Sequence, residues 1–427
     1  MNVPSPRQTP LTERHKALAA NMADFAGYRM PLWYPTGARK EHLAVITAAG
    51  LFNTSHMATV AVAGSGARAL IEQCFTKDLA ACIGLLRRPL SPGRSVYGAF
   101  LNPAGHVIDD GIVFCAGPED FLVVVNAGMG PRIARHLEDN RRADTPATVT
   151  DFTDRLGKID IQGPLADRIL SRVIDTPAEV FKGLVYFSFK GHFDARHPLA
   201  GRVRFAGGHP VLISRTGYTG EFGFELFMDA GLTGLFWDAL LAAGAADGLI
   251  PCGLAARDSL RAGAMLPLSH QDIGDWPFVN HPWPFALSWN IDRTAFTKPF
   301  IGDRALISAA GGKPHTCAFA GKDPRKVSTA DSAWVVDTGE NRIGTVLTCA
   351  TDMAIDRVDG HIVSVASPDR PKAFAPRGLC CGFVKIERPL AHGTPVTLED
   401  NHRRVAVTIV NNVRPDRSAR RPIHQKH

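Results

Sequence analysis

The 427-residue chain lacks most of the signatures that would assign it a common chemistry at once. No apolar run reaches the roughly 18 residues a membrane-spanning helix needs, so no membrane association is expected. The opening stretch MNVPSPRQTPLTERHK has no apolar core of the kind a secretory leader carries. There is no Walker loop, no H-E-x-x-H and no G-x-S-x-G, which removes the usual phosphate-binding, zinc-hydrolase and serine-hydrolase readings. None of the eight cysteines forms a C-x-x-C pair. Scattered through apolar segments, they read as reduced thiols of a cytoplasmic protein, with neither a disulfide frame nor a metal site. Basic motifs interleaved with aromatics are also absent, so the formal net charge of +7 does not imply nucleic-acid binding. Much of that excess sits in RPDRSARRPIHQKH (414–427), which has no apolar periodicity and reads as a flexible, solvated tail.

What is present is an ordinary globular composition, 45% hydrophobic and 21% charged, with enough length for two or three domains. Leu11, His15, Leu18, Met22 and Phe25 recur at helical spacing and predict an opening helix over 9–25, followed by a proline-punctuated aromatic loop over 27–35. Three β-type runs at 95–102, 106–114 and 121–128 are joined by short turns, which favours an antiparallel meander. KIDIQGPLADRIL (158–170) reads as strand then helix, VYFSF (185–189) as a strand, and 231–248 as a helix. Gly64-Ser65-Gly66-x-x-Ala69 lies between a strand and a helix, but no second parallel strand ending in an acid follows, so it reads as a plain turn. Past about residue 310 helical periodicity fades, and short β runs punctuated by glycine and proline suggest a separate barrel or sandwich. The class is α+β with an all-β C-terminal domain.

Two stretches carry candidate chemistry. HVIDDGIVF (106–114) places Asp109 and Asp110 side by side in an apolar run, although Asp disfavours strands and an unpaired buried carboxylate is costly. Strand alternation sends the two to opposite faces. Alternation alone does not say which faces inward, because Val107 and Ile108 are both apolar. RTGYTGEFGFELF (215–227) has Gly217, Gly220 and Gly223 around Tyr218, whose ring could stack on a heterocycle, with Glu225 following as an acceptor for two N–H donors of an aminopyrimidine edge. GLAARDSLRAG (253–263) begins a helix carrying Arg257, Asp258 and Arg261, which structural ion pairs would explain equally well.

Taken in order, LTERHKALAANMADFAGYRMPLWY, AAGLFNTSHM, NPAGHVIDDGIVF, FLVVVNA, IQGPLA, SRTGYTGEFGFELF and GLAARDSLR resemble the glycine cleavage T-protein (aminomethyltransferase) family of folate-dependent enzymes. The resemblance runs over most of the chain. It implies a three-domain, ring-like fold: a folate-binding region over 1–295 made of two interleaved α+β domains, a β-barrel domain over 296–413, and the tail. It also implies tetrahydrofolate as co-substrate and a lipoyl-carrying H-protein as partner. Carried over position by position, the catalytic aspartate falls on Asp110. The folate-contacting positions fall on Tyr97, Val124, Asn126, Tyr186, Tyr218, Glu225 and Arg257, with Met57 lining the cavity. The chain departs from the family at Asn53-Thr54, where Asp-Val is usual, and at Pro284, where an acid is usual, and it carries an aromatic insertion, GDWPF (274–278). Pro284 and the insertion keep open a tetrahydrofolate-dependent demethylase acting on a small methylated donor. A non-enzymatic folate-binding member would carry a cysteine-containing, glycine-rich motif that is absent here.

Overall fold

The computed structural model describes residues 5–144, 146–205, 207–330 and 332–423. Two sheets form the N-terminal two thirds. One has five strands in the order Arg94–Leu101, Val107–Gly117, Asp120–Val125, Ala58–Ala63 and Thr148–Asp151, and every pairing in it is antiparallel. The other has six, in the order Phe189–Lys190, Leu212–Ser214, Gly223–Asp229, Leu156–Gln162, Ala49–Asn53 and Leu249–Cys252, with only the last pair parallel. The third body is a closed six-stranded barrel whose strands lie between His315 and Val410. Closure removes the exposed edges that short, valine-rich strands would otherwise present. Among the described residues no helix is long and apolar enough to cross a membrane, and all eight cysteines are free thiols.

The meander forms as the turn chemistry demands, because Asn102 caps its own loop by accepting from the backbone N–H groups of Ala104 and His106. Gly64 takes φ +116°, and a β-carbon there would lie 2.5 Å from the Pro146 carbonyl oxygen, so it serves a tight strand-to-helix turn in a wholly antiparallel sheet.

Four expectations need correction. The opening helix covers only Thr12–Ala17; Ala19 turns the chain at φ +53°, and Asn21–Phe25 pairs with Tyr28–Trp33 as a hairpin. Cross-strand pairing thus overrides the local helical spacing, and the supposed aromatic loop becomes the second strand. The stretch 185–189 turns at Tyr186 and Phe187, the latter at φ +57°, and pairs only through an isolated bridge between Ser188 and Arg94 and a strand that begins at Phe189. The tail is no solvated appendage over 414–421. Arg414 is wholly buried, its Nε 3.1 Å from Glu221 Oε1 and its Nη1 on Asp352. The Ala419 N–H donates to the Gly220 carbonyl, and Arg215 donates to the carbonyls of Ala419 and Arg421. Residues 424–427 lie outside the described ones. The fourth correction concerns the two aspartates.

Candidate functional site

A flat strand would have sent Asp109 and Asp110 apart. Instead the register slips beside them: Asp109 opposes Phe100 while Val107 opposes Leu101, leaving Ile108 as a bulge. A bulge adds twist and re-aims side chains. Both carboxyls are buried and both reach the same side-chain amide. Asn126, just past Asp120–Val125, donates through Nδ2 to Asp109 Oδ1 at 2.9 Å and to Asp110 Oδ1 at 2.8 Å, and its backbone N–H donates to Asp109 Oδ2 at 2.8 Å. Tyr97, from the strand on the other side, donates its hydroxyl to Asp110 Oδ2 at 2.7 Å. Ser269 donates to Asp109 Oδ1 at 2.8 Å. Among the described residues no lysine or arginine pairs with either acid. Burial therefore pushes both carboxyls up, and the charge of Asp110 adds to the effect on Asp109, which rises to about 7 against its hydrogen bonds from Asn126 and Ser269. The Tyr97 hydroxyl is held well above its ordinary value by burial and by Asp110.

The insertion GDWPF supports this geometry. The Val107 N–H donates to the Gly274 carbonyl and the Phe278 N–H to the Gly105 carbonyl, while His106 bridges Pro277. Phe278 is buried on His281, and Trp276 lies under Lys385 of the barrel, 4.4 Å from ring centre to ammonium. The segment clamps the start of the acidic strand against the barrel. Pro284 opens a single helical turn that leaves Phe285 half-exposed, 5.9 Å from the Tyr97 ring.

A second polar cluster grows from the six-stranded sheet. Glu225 lies directly across from Asp160, a like-charge pairing that would cost stability unless compensated. Lys158 compensates it: its Nζ is 2.6 Å from Asp160 Oδ1 and 2.6 Å from Glu225 Oε1. Arg257 adds a contact of 3.0 Å to Asp160 Oδ2, Thr54 donates to Asp160 Oδ1 at 2.7 Å, and Thr216 donates to Glu225 Oε2. Burial works to raise Asp160, but the charges of Lys158 and Arg257 outweigh it and hold the carboxyl below its ordinary value. Arg257 also sits 4.9 Å over the Tyr218 ring, so one face of that ring is already covered, and the Tyr218 hydroxyl donates to the Pro267 carbonyl.

Of the residues singled out from sequence, Tyr97, Asp110 and Asn126 are joined by direct hydrogen bonds, and Tyr218, Arg257 and Glu225 are linked through the second cluster. Val124 is buried in an apolar cluster with Phe114 and Phe227, and Met57 packs against it. Tyr186 stands to one side, its ring against Phe187 and 5.6 Å from the Arg420 guanidinium. Lys158, Asp160, Thr54, Thr216 and Ser269 were not anticipated. The alternation Lys158, Asp160, Gln162 within an apolar strand was the available signal, since three polar groups on one face of a buried strand need partners. Of the sequence departures, Asn53 accepts from the Ser55 N–H at 3.0 Å and donates to Thr9 Oγ1 at 2.9 Å, while Thr54 belongs to the second cluster.

Comparison with known proteins matches residues 11–292 to the model of the GCVT N-terminal domain. The aminomethyltransferase of Saccharopolyspora erythraea is 35% identical over 373 residues, covering 86% of this chain and 92% of the relative. That of Streptomyces avermitilis is 39% identical over 327 residues, covering 77% and 78%. The crystal structure of the glycine cleavage system aminomethyltransferase T from Bartonella henselae superposes with a TM-score of 0.73 at 25% identity, over 98% of this chain and 100% of that one.

Proposed function

The chain belongs to the glycine cleavage T-protein (aminomethyltransferase) family, and from that premise we propose that the two clusters form a tetrahydrofolate-dependent one-carbon transfer site. The activity is that of an aminomethyltransferase. An aminomethyl group on a lipoyl sulfur is passed to tetrahydrofolate, giving 5,10-methylenetetrahydrofolate, ammonia and the free thiol. Two C–N bonds form, one C–N and one C–S bond break, and the protons of the two folate amines end on the departing nitrogen and sulfur.

The residues suit such a substrate. Glu225 keeps lone pairs beyond those used by Lys158 and Thr216 for the N–H groups of an aminopyrimidine. Tyr218 supplies an aromatic wall, and Met57 with Val124 an apolar one. Positive charge builds on the nitrogen–carbon unit during transfer, and a buried carboxylate stabilises it more than water would. We assign that part to Asp110, oriented by Tyr97 and Asn126, with Lys158 and Arg257 holding the folate-facing carboxylates in place. The observation that carries this reading is the pair of buried acids without a lysine or arginine partner among the described residues, which stability alone does not favour.

The partner follows from the family as a lipoyl-bearing H-protein. The demethylase alternative loses one of its two sequence arguments, because GDWPF packs as a clamp on the acidic strand. Mass spectrometry after incubation with tetrahydrofolate and aminomethyl-loaded H-protein tests the reading. Methylene-folate and ammonia are expected; formation of 5-methyltetrahydrofolate from O-, S- or N-methyl donors, with no product from H-protein, would overturn it.

A further inference from the structure

We infer that His270 is the proton outlet of the acid pair, passing protons between Asp109 and solvent and so restoring the pair's resting charge state between turnovers. The inference rests on the transferase reading above. The folate amines lose the protons that the leaving nitrogen and sulfur take up, and a buried pair that carries one between them must begin each turnover in one charge state, which its immediate partners are poorly suited to restore near neutral pH. Tyr97 is held far above neutrality, Asn126 does not titrate, and the Ser269 hydroxyl gives up no proton in this range. His270 Nε2 lies 3.7 Å from Asp109 Oδ1, and its side chain is 43% exposed. It touches the buried acid on one side and water on the other. An imidazole can take a proton at one ring nitrogen while releasing one from the other, and catalytic contacts are often long before substrate binds.

The backbone supports a selected position. His270 sits at φ +62°, a conformation that costs a residue with a β-carbon. The loop around it is over-determined. Ser269 is bonded to Asp109, the Leu268 N–H donates to Asp272 Oδ2 at 2.9 Å, and Asp272 is paired with the buried Arg261. Other charged and titratable groups around the pair are committed elsewhere: Arg261 to Asp258 and Asp272, Arg257 to Asp160, and Tyr218 to the Pro267 carbonyl. In the step itself the Asp109 carboxyl gives its proton to Nε2, the imidazolium releases one to water, and the reverse restores it. No bond to carbon changes and no electron is transferred.

His270→Gly suits the test, because glycine accepts φ +62° without strain and leaves a hole that free imidazole can enter. Turnover with aminomethyl-loaded H-protein, tetrahydrofolate affinity and melting temperature are measured for the wild type, for H270G and for H270Q, from about pH 6 to pH 9. Expected for H270G are an unchanged or higher melting temperature, folate affinity within about twofold of the wild type, and a kcat reduced about tenfold or more. Millimolar imidazole restores much of that kcat, whereas H270Q, whose side chain fills the hole, is slowed and not rescued. A wild-type pH profile and rate in H270G, or a loss that imidazole leaves untouched, would overturn the outlet while leaving the transferase reading intact. A wild-type protein that transferred no aminomethyl group would count against both.

Discussion

Two buried clusters in this molecule use the same side chain for opposite ends. Around Lys158 and Arg257, two carboxylates are matched by two cations, and Asp160 is held below its ordinary range. Around Asn126, two carboxyls meet no lysine or arginine among the described residues, and both are pushed up. A balanced buried cluster fixes geometry, because its charges already have partners. An unbalanced one stores a preference that a developing positive charge can satisfy, which is how a site stabilises a transition state it does not resemble at rest. That difference is the ground for proposing chemistry for the acid pair and positioning for the quartet.

The sharpest break in that comparison is Asp110→Asn. It keeps the shape and the contact with Asn126 but removes the charge, and turnover should fall on the order of a hundredfold to ten-thousandfold, while the melting temperature holds or rises. Retained turnover in a folded D110N enzyme would remove the acid pair from the reaction. Lys158→Met should act on the other side of the comparison. It leaves Asp160 and Glu225 facing each other without their shared cation, a loss of about 3–5 kcal/mol in a chemical-denaturation experiment. Glu225→Gln is milder for the fold; calorimetry should find tetrahydrofolate binding weakened about tenfold or more, and unchanged affinity would move the pterin away from this strand.

The smallest effect tests the electrostatics directly. Because the folded-state value of Asp109 is raised, the native protein binds more protons than the unfolded chain between the ordinary carboxylate range and about 7. The stability this group lends is therefore complete in acid and lost as pH rises through about 7. Asp109→Asn should flatten that part of the stability-versus-pH curve, so that melting temperatures of variant and wild type converge or cross on the alkaline side. A variant curve parallel to the wild type would mean that Asp109 is not strained by its surroundings.

The meander, the glycine-rich hairpin and the barrel strands were legible because each is written in contiguous residues: alternating apolar runs separated by turn formers. The acidic doublet was legible for the opposite reason, as a violation of that pattern. What sequence could not show is what depends on distant partners. Arg414 in an arginine-rich tail reads as solvated, yet Glu221 and Asp352, its counter-charges, are 193 and 62 residues away. Asn21–Phe25 carries a helix's spacing and is taken into a hairpin by Tyr28–Trp33. The convergence of Asp109 and Asp110 on one amide depends on a register slip opposite Phe100 and Leu101 that no local pattern announces. Lys158 and Asp160 were overlooked because Glu225, which gives them their meaning, lies on the neighbouring strand.

The division of labour between the clusters is tested most directly by one titration of turnover against tetrahydrofolate, run side by side on D110N and K158M under conditions where both are folded. The account predicts that D110N reaches half-saturation at the wild-type folate concentration with a collapsed kcat. K158M should need far more folate and then approach the wild-type kcat. If the pattern is reversed, with D110N limited by folate affinity and K158M by its rate at saturation, the assignment of chemistry to the acid pair and positioning to the ion-paired quartet is wrong.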